Sequence, residues 1–154
     1  MRHSSEIIIS DTSCLILLGK IDEIDVLHRL CERVYITPTI KEEYGEALPD
    51  WIKIKAPQNT RYQNLLEMDL DAGEASAIAL SLETDRSILI IDDLKGRKIA
   101  KRLHLKYSGT LGLLLQAKRA GILPALRPVV VKIRETNFRF SEALLDSLLE
   151  QAGE

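Results

Sequence analysis

The sequence has little of what defines several large classes of protein. No apolar run approaches the ~18 to 20 residues that a membrane-spanning helix needs, so we expect a cytoplasmic protein that does not enter a membrane. There are only two cysteines, Cys14 and Cys31, and neither lies in a CxxC pair or near a pair of histidines. This spacing argues against a zinc site or a disulfide framework and predicts buried free thiols.

Residues for nucleophilic or phosphate-loop chemistry are also scarce. The three histidines, His3, His28 and His104, are scattered and look non-catalytic, and the chain has no serine or cysteine triad and no glycine-rich phosphate loop. Internal repeats, low-complexity stretches and linkers are absent too. The 45% hydrophobic and 29% charged composition is typical of a globular protein, and the length suits one domain over residues 1–154.

Strand and helix patterns alternate from end to end. We predict strands at residues 6–10, 33–37, 51–55, 87–91 and 106–108. Helical patterns occupy residues 15–20, 24–31, 38–44, 72–82, 94–103, 110–120, 123–134 and 141–151. Alternation of this kind favours an α/β fold, a three-layer α/β/α sandwich with a mainly parallel central sheet.

Several helix ends carry their own signals. Thr37 before Pro38 is a start signal, Asp22 is a plausible N-cap of the second helix, and Gly121 suits the end of the helix before it. Residues 141–154 begin with Ser141 as N-cap and form an amphipathic C-terminal helix. Its apolar stripe packs on the core or serves a partner or a homodimer, and consists of Leu144, Leu145, Leu148 and Leu149.

Two buried apolar runs each end in an acid. Ile7, Ile8 and Ile9 lead to Asp11, and residues 88–91 lead to Asp92 and Asp93. The carboxyl ends of parallel strands share the edge at which open α/β folds keep their sites, and carboxylates there suit Mg²⁺ or Mn²⁺. An N-cap explains Asp11 equally well, and Asp93 is a cap or a supporting ligand.

Two further candidates lie on predicted helices. Glu43 lies beside an apolar face, where a carboxylate needs a partner or an ion, although a solvated helix Glu is the alternative. In LDAGEASAIAL, Asp71 and Glu74 have capping-box spacing, but the small residues around Glu74 would let this helix approach the sheet edge near Asp11. We interpret Glu74 as a ligand and Asp71 as a cap.

Charge is divided unevenly along the chain. Residues 1–94 carry 9 Lys/Arg and 18 Asp/Glu, residues 95–139 carry 12 and 1, and residues 140–154 carry 0 and 4. The basic tract solvates helix faces or lines a groove for a polyanion backbone, with Lys95, Arg97, Lys98, Lys101 and Arg102 as candidates. Ser108-Gly109-Thr110 supplies a hydroxyl beside the metal or, the preferred interpretation, a helix cap.

The order of the acids resembles the PIN domain, the nuclease fold of the VapC-type toxin ribonucleases. The matching segments span residues 6–121 and are IIISDTS, VYITPTIKEEY, LDAGEASAIAL and ILIIDDLKGRKIA, which contribute Asp11, Glu43, Glu74 and Asp92. The sequence looks closest to a PIN-like branch with a GEA helix and an IDD-x-x-GR segment. It differs from many PIN domains in having Glu74 in place of Asp, and from the toxin branch in the residues after Asp92.

The resemblance implies an endoribonuclease that acts on single-stranded RNA, often with a small antitoxin protein encoded alongside. It implies that the four acids converge on one or two Mg²⁺ or Mn²⁺ ions. The position of Asp93 directly after Asp92 makes it a further candidate to support the metal. One alternative is a non-catalytic PIN-like module that binds RNA or protein. A second is a receiver-like phosphorylation domain, which needs a lysine after a late strand, and Lys106 fits that place poorly.

Overall fold

A five-stranded, all-parallel sheet with helices on both faces organises the computed structural model, which describes residues 4–154 and therefore not His3. The sheet order is β3-β2-β1-β4-β5, and the strands are β1 Ser4–Ser10, β2 Cys31–Ile36, β3 Ile52–Ile54, β4 Ser87–Ile90 and β5 Tyr107–Ser108. All five predicted strands are present. The prediction of an α/β/α sandwich is confirmed.

Helices connect these strands and cover the sheet. In the described part of the chain they are α1 Thr12–Lys20, α2 Asp25–Leu30, α3 Pro38–Tyr44, α4 Thr60–Leu66, α5 Ala72–Leu82, α6 Leu94–Arg102, α7 Thr110–Arg119, α8 Arg127–Arg134 and α9 Glu142–Gln151. Within residues 4–154, no helix has the length and apolar character that a membrane span requires.

The central strands are apolar because both of their faces are covered. Ile8, Ile9, Leu89 and Ile90 are almost completely buried, as expected for a parallel sheet between two layers of helices. Ser10 of β1 pairs with Ile90 of β4, and the Asp11 N–H extends the pairing by donating to the Ile90 carbonyl at 2.9 Å. The ends of β1 and β4 are therefore level with each other.

The connectivity places a crevice at that level. The chain runs outward from β1 through β2 to β3, then returns to place β4 on the other side of β1. This reversal between β1 and β4 is a topological switch point, where the loops after the two strands diverge to opposite faces and leave a cleft. Asp11 and Asp92 follow these two strands.

Most predicted caps are confirmed by hydrogen bonds. The side chains of Thr37, Asp71, Asp93 and Ser141 accept from backbone N–H groups in the first turns of α3, α5, α6 and α9. Gly121 follows the last residues of α7 with φ 77°, the left-handed conformation that favours glycine at a helix end. Cys14 and Cys31 are buried free thiols, as predicted.

The structure corrects several helix boundaries. The first helix begins at Thr12 rather than at residue 15, because Asp11 caps it. Asp22 does not cap α2, since it adopts φ 56° and α2 begins after Ile24 without a side-chain bond. The predicted helix over 123–134 begins only at Arg127, which puts Pro128 in the first turn. The N–H groups of a first turn have no partner within the helix, so a proline there costs no hydrogen bond.

Two further differences concern apolar side chains. The short helix α4 was not predicted, and none of its residues is fully buried. The C-terminal stripe was predicted one leucine too wide. Leu145, Leu148 and Leu149 pack in the core, whereas Leu144 is 48% exposed.

Candidate active site

Asp11 is a buried carboxylate that joins the ends of β1 and β4. Only 3% of the residue is exposed. Its Oδ1 accepts from the Cys14 N–H at 2.8 Å, which caps α1, and its Oδ2 accepts from the Asp92 N–H at 3.0 Å. The cap interpretation of Asp11 is therefore correct. Its second oxygen, however, fixes the backbone that carries the next candidate acid.

Asp92 is half-buried and is oriented by the start of α7. Its Oδ1 accepts from the Thr110 N–H at 2.8 Å, and its Oδ2 accepts from the Thr110 hydroxyl at 2.6 Å. The preferred interpretation of Ser108 to Thr110 as a helix cap is confirmed, since Gly109 is the N-cap of α7. The cap is made without a side-chain hydrogen bond, and the Ser108 hydroxyl donates to the Gly109 carbonyl. Thr110 holds the carboxylate of Asp92.

Glu43 reaches the same region from α3. Its Oε1 accepts from the Thr12 hydroxyl at 2.6 Å, so the residue after Asp11 holds Glu43 in place. Glu43 is exposed rather than set against a buried face, which corrects the expectation from helical periodicity. A Cβ atom at Gly73 would lie 2.9 Å from the Glu43 Cδ, so the absence of a side chain at Gly73 makes room for this carboxylate.

A buried chain of hydroxyl groups fixes α3 against α5. The Ile40 N–H donates to the Thr37 hydroxyl oxygen at 3.2 Å, Thr37 and Ser76 hydroxyls are 2.7 Å apart, and Ser76 donates to the Gly73 carbonyl at 2.7 Å. Because the Ser76 hydrogen is used on Gly73, Thr37 is the donor to Ser76. Every polar atom of this chain has a partner, which makes the contact between the two helices specific.

Glu74 lies in the first turn of α5, where Asp71 accepts from its N–H at 2.9 Å and caps the helix as predicted. A small cavity of about 30 Å³ opens between the starts of α1 and α5 and the end of β1. Its lining residues are Asp11, Thr12, Ser13, Glu43, Asp71 and Glu74. Three of the four predicted acids thus share a cavity. We refer to Asp11, Glu43, Glu74 and Asp92 together as the acidic site.

Asp93 stands apart from that cavity. It is exposed, and its Oδ2 accepts from the Gly96 N–H at 2.9 Å, so it caps α6. One of the two roles expected for it is therefore present. A supporting role toward a metal stays a prediction.

Burial and mutual repulsion of carboxylates raise two pKa values in the acidic site. Burial, followed by repulsion from Asp92, raises the pKa of Asp11 from 3.8 to about 7. Burial, then repulsion from Asp71 and Asp93, raises the pKa of Glu74 from 4.5 to about 7. None of the ion pairs found within residues 4–154 involves an acid of the site.

The comparison with protein families agrees with this geometry. The family model DUF3368, described as a PIN domain, matches residues 7–154. The chain belongs to the PIN-domain family. No curated protein gives a significant match. Membership excludes the receiver-like alternative, and so does the strand order of the sheet, because receiver domains have the order 2-1-3-4-5.

The site of this PIN domain fits a hard divalent cation in its donor chemistry. Among the described residues, no three or more His, Cys, Asp or Glu side chains are grouped so that they could hold one ion. Mg²⁺ needs no such cage, since it commonly takes one or two carboxylates and completes its octahedron with water and substrate phosphates. Carboxylate oxygens are suitable donors for it.

The raised pKa values predict how the stability of the metal-free PIN domain depends on pH. Between the ordinary values and about 7, the folded protein keeps protons that the unfolded chain has released. The free energy of unfolding contributed by Asp11 and Glu74 therefore falls as the pH rises through this window. Urea unfolding in EDTA at about pH 5 and about pH 7.5 measures the fall.

The variant Glu74→Gln isolates one of the two groups. We expect a smaller loss of stability between the two pH values than in the natural protein, because glutamine does not titrate. Asp146→Asn, at an exposed position of α9, is the control and should leave the pH dependence unchanged. The same pH dependence in Glu74→Gln and in the natural protein would contradict the prediction.

Proposed function

We propose that this PIN domain is a metal-dependent endoribonuclease that hydrolyses phosphodiester bonds of single-stranded RNA. The observation that carries the proposal is the placement of Asp11 and Asp92 side by side at the switch point of the sheet. PIN domains are generally nucleases, which gives these carboxylates a chemical purpose. The repulsion among the carboxylates supports a cation as their ligand.

The carboxylates would have different roles in such a site. Asp11, Glu74 and Asp92 would hold one or two Mg²⁺ or Mn²⁺ ions, with one or two carboxylates on each ion and Asp93 in support from the cap of α6. The ion, when bound, lowers the pKa of a water molecule and offsets charge on the scissile phosphate. Glu43 accepts the Thr12 hydroxyl through one oxygen, and its second oxygen remains to ligate the ion or to orient the attacking water.

A non-catalytic PIN-like module that binds RNA or protein is the second candidate. One observation favours it, since the described residues bring no three metal-ligating side chains to a common point. Such a module would bind its partner equally well with and without a divalent cation. The two candidates therefore differ in whether RNA is cleaved and in whether metal is required.

The proposed activity suggests two protein partners. A small antitoxin protein would keep a toxin of this kind inactive, and a small open reading frame immediately upstream of the gene would support that role. A second copy of the chain is the other proposed partner. Size-exclusion chromatography with light scattering measures whether the protein is a homodimer.

Cleavage of defined substrates by the purified protein tests the proposed function. We expect labelled single-stranded RNA to be cut internally with Mn²⁺ or Mg²⁺ and to stay intact in EDTA, while double-stranded RNA and single-stranded DNA are cut more slowly. The activity should co-elute with the protein on size exclusion, which separates it from a contaminating ribonuclease. Metal-independent RNA binding without cleavage would support the non-catalytic module instead.

A further inference from the structure

Arg97 differs from the other basic side chains of α6. Its residue is half-buried, whereas Lys95, Lys98, Lys101 and Arg102 are exposed. The Arg97 guanidinium lies over the ring of Tyr107 in β5, with 5.7 Å between its Cζ and the ring centroid. A cation–π contact of this kind restrains the guanidinium and leaves its N–H groups able to donate to another group.

The Arg97 guanidinium lies next to the acidic site. A Cβ atom at Gly109 would be 3.4 Å from the Arg97 Nη1 and 2.9 Å from the Asp92 Oδ1. Arg97 and Asp92 thus lie on the same side of Gly109, the side on which a Cβ atom would project. Because φ of Gly109 is −94° and its ψ is 176°, an ordinary extended conformation, close approach rather than backbone strain requires glycine here.

Arg97 nevertheless forms no ion pair with Asp92. None of the ion pairs within the described residues includes Arg97. Both oxygens of Asp92 already accept from Thr110. Arginine and carboxylate groups frequently form bidentate pairs, so a guanidinium that lies beside Asp92 without pairing with it is available to bind another anion.

We propose that Arg97 binds a backbone phosphate of the RNA strand at the acidic site, and that Tyr107 holds it in orientation. The inference rests on the proposed function for its substrate. Four carboxylates repel a phosphodiester, and a fixed cation next to Asp92 offsets that repulsion at the point where the strand must approach. The flat, forked guanidinium matches two phosphate oxygens, whereas the exposed lysines of α6 offer point charges.

Two variants at Arg97 and one control test the assignment. Arg97→Gln removes the charge, Arg97→Lys keeps the charge without the fork, and Arg102→Gln removes the same charge from an exposed position of the same helix. We expect Arg97→Gln to raise KM for RNA about tenfold, with a smaller effect on kcat, as for loss of one charge-assisted contact. The KM of Arg97→Lys should lie between that of the natural protein and that of Arg97→Gln, and Arg102→Gln should change KM less than about twofold.

Binding of single-stranded RNA in EDTA gives a readout that does not depend on cleavage. The logarithm of the binding constant, plotted against the logarithm of the salt concentration, should have a slope that is shallower by about 0.7 in Arg97→Gln. The slope should change little in Arg97→Lys. In Arg102→Gln it should change less than in Arg97→Gln. Thermal unfolding checks that each variant is folded. If Arg97→Gln is not folded, Tyr107→Leu is used in its place. We expect Tyr107→Leu to raise KM and to have the same salt slope as the natural protein.

The two readouts separate this inference from the proposed function. If the natural protein binds RNA but does not cleave it, the nuclease proposal fails, and the salt slope still decides the role of Arg97. If Arg97→Gln and Arg102→Gln have equal effects on KM and on the salt slope, Arg97 is one of many solvated cations and the inference is overturned.

Discussion

Replacing Asp92 by asparagine is expected to slow metal-dependent RNA cleavage by about 10² to 10³-fold while the fold stays intact, the scale of losing one preorganised electrostatic contact. Asparagine keeps Oδ1 as acceptor for the Thr110 N–H, and its amide can donate to the Thr110 hydroxyl, which then acts as acceptor. The side chain therefore stays in place without its charge. The substitution removes the negative charge that favours a bound cation.

The same substitution should not lower stability much in the absence of metal. Repulsion from Asp92 is the second cause of the raised pKa of Asp11, after burial, so removing the charge lowers the pKa of Asp11 and relieves the folded state. We expect the midpoint of thermal unfolding in EDTA near pH 7 to stay the same or rise by a few degrees. Greater stability together with lower activity is the signature of a charged functional site.

Asp93→Asn is the matched control, because the change in charge is the same and the residue is the next one along the chain. Asparagine is as good an N-cap as aspartate, so the bond from the Gly96 N–H should persist. We expect cleavage to fall by about tenfold at most, the lower end of the range of about 10- to 100-fold for supporting contacts of a metal site. Cleavage at the natural rate by Asp92→Asn, measured with Mn²⁺ and labelled RNA, would remove Asp92 from the site.

Predictions from the sequence were most accurate for features that depend on one continuous segment of the chain. Apolar runs that end in Asp11 and Asp92 identify two central parallel strands and the edge at which they finish. The capping alternatives were also correct, yet they did not compete with a functional role. Asp11 gives one oxygen to the start of α1 and the other to the Asp92 N–H. Each carboxylate oxygen has two lone pairs, so an oxygen that accepts a backbone N–H can still ligate a cation.

Contacts between distant segments could not be read from the sequence. Gly109 brings Asp92 and Arg97 to one point, and Tyr107 holds Arg97, but no local pattern links these residues. Glu43 illustrates the same limit, because helical periodicity placed it beside a buried face. Its position depends instead on Thr12 and on the space above Gly73, which only the packing of α3 against α5 defines.

Gly73→Ala is expected to impair cleavage without weakening the fold. A methyl group at this position would lie 2.9 Å from the Glu43 Cδ and closer still to its Oε1. The end of a flexible, exposed Glu side chain can move away at little cost, and alanine is favoured over glycine in a helix by roughly 0.5 to 1 kcal/mol. Thermal stability should therefore be equal or higher.

Activity should fall because the carboxylate of Glu43 leaves its place. Misplacement of a catalytic group by about 1 Å can cost on the order of 10²-fold in rate, and we expect a loss approaching that size. The bond from the Ser76 hydroxyl to the Gly73 carbonyl uses the backbone and should survive, so the contact between α3 and α5 is kept. The effect should therefore be confined to Glu43.

A double-mutant cycle checks that confinement. In a Glu43→Ala background there is no carboxylate to displace, so adding Gly73→Ala should change the cleavage rate by less than about twofold. An equal loss in both backgrounds would mean that the methyl group disturbs α5 itself rather than Glu43. If Gly73→Ala instead cleaves at the natural rate, the position of Glu43 next to Thr12 is not needed for the reaction, and the role of Glu43 must be given up.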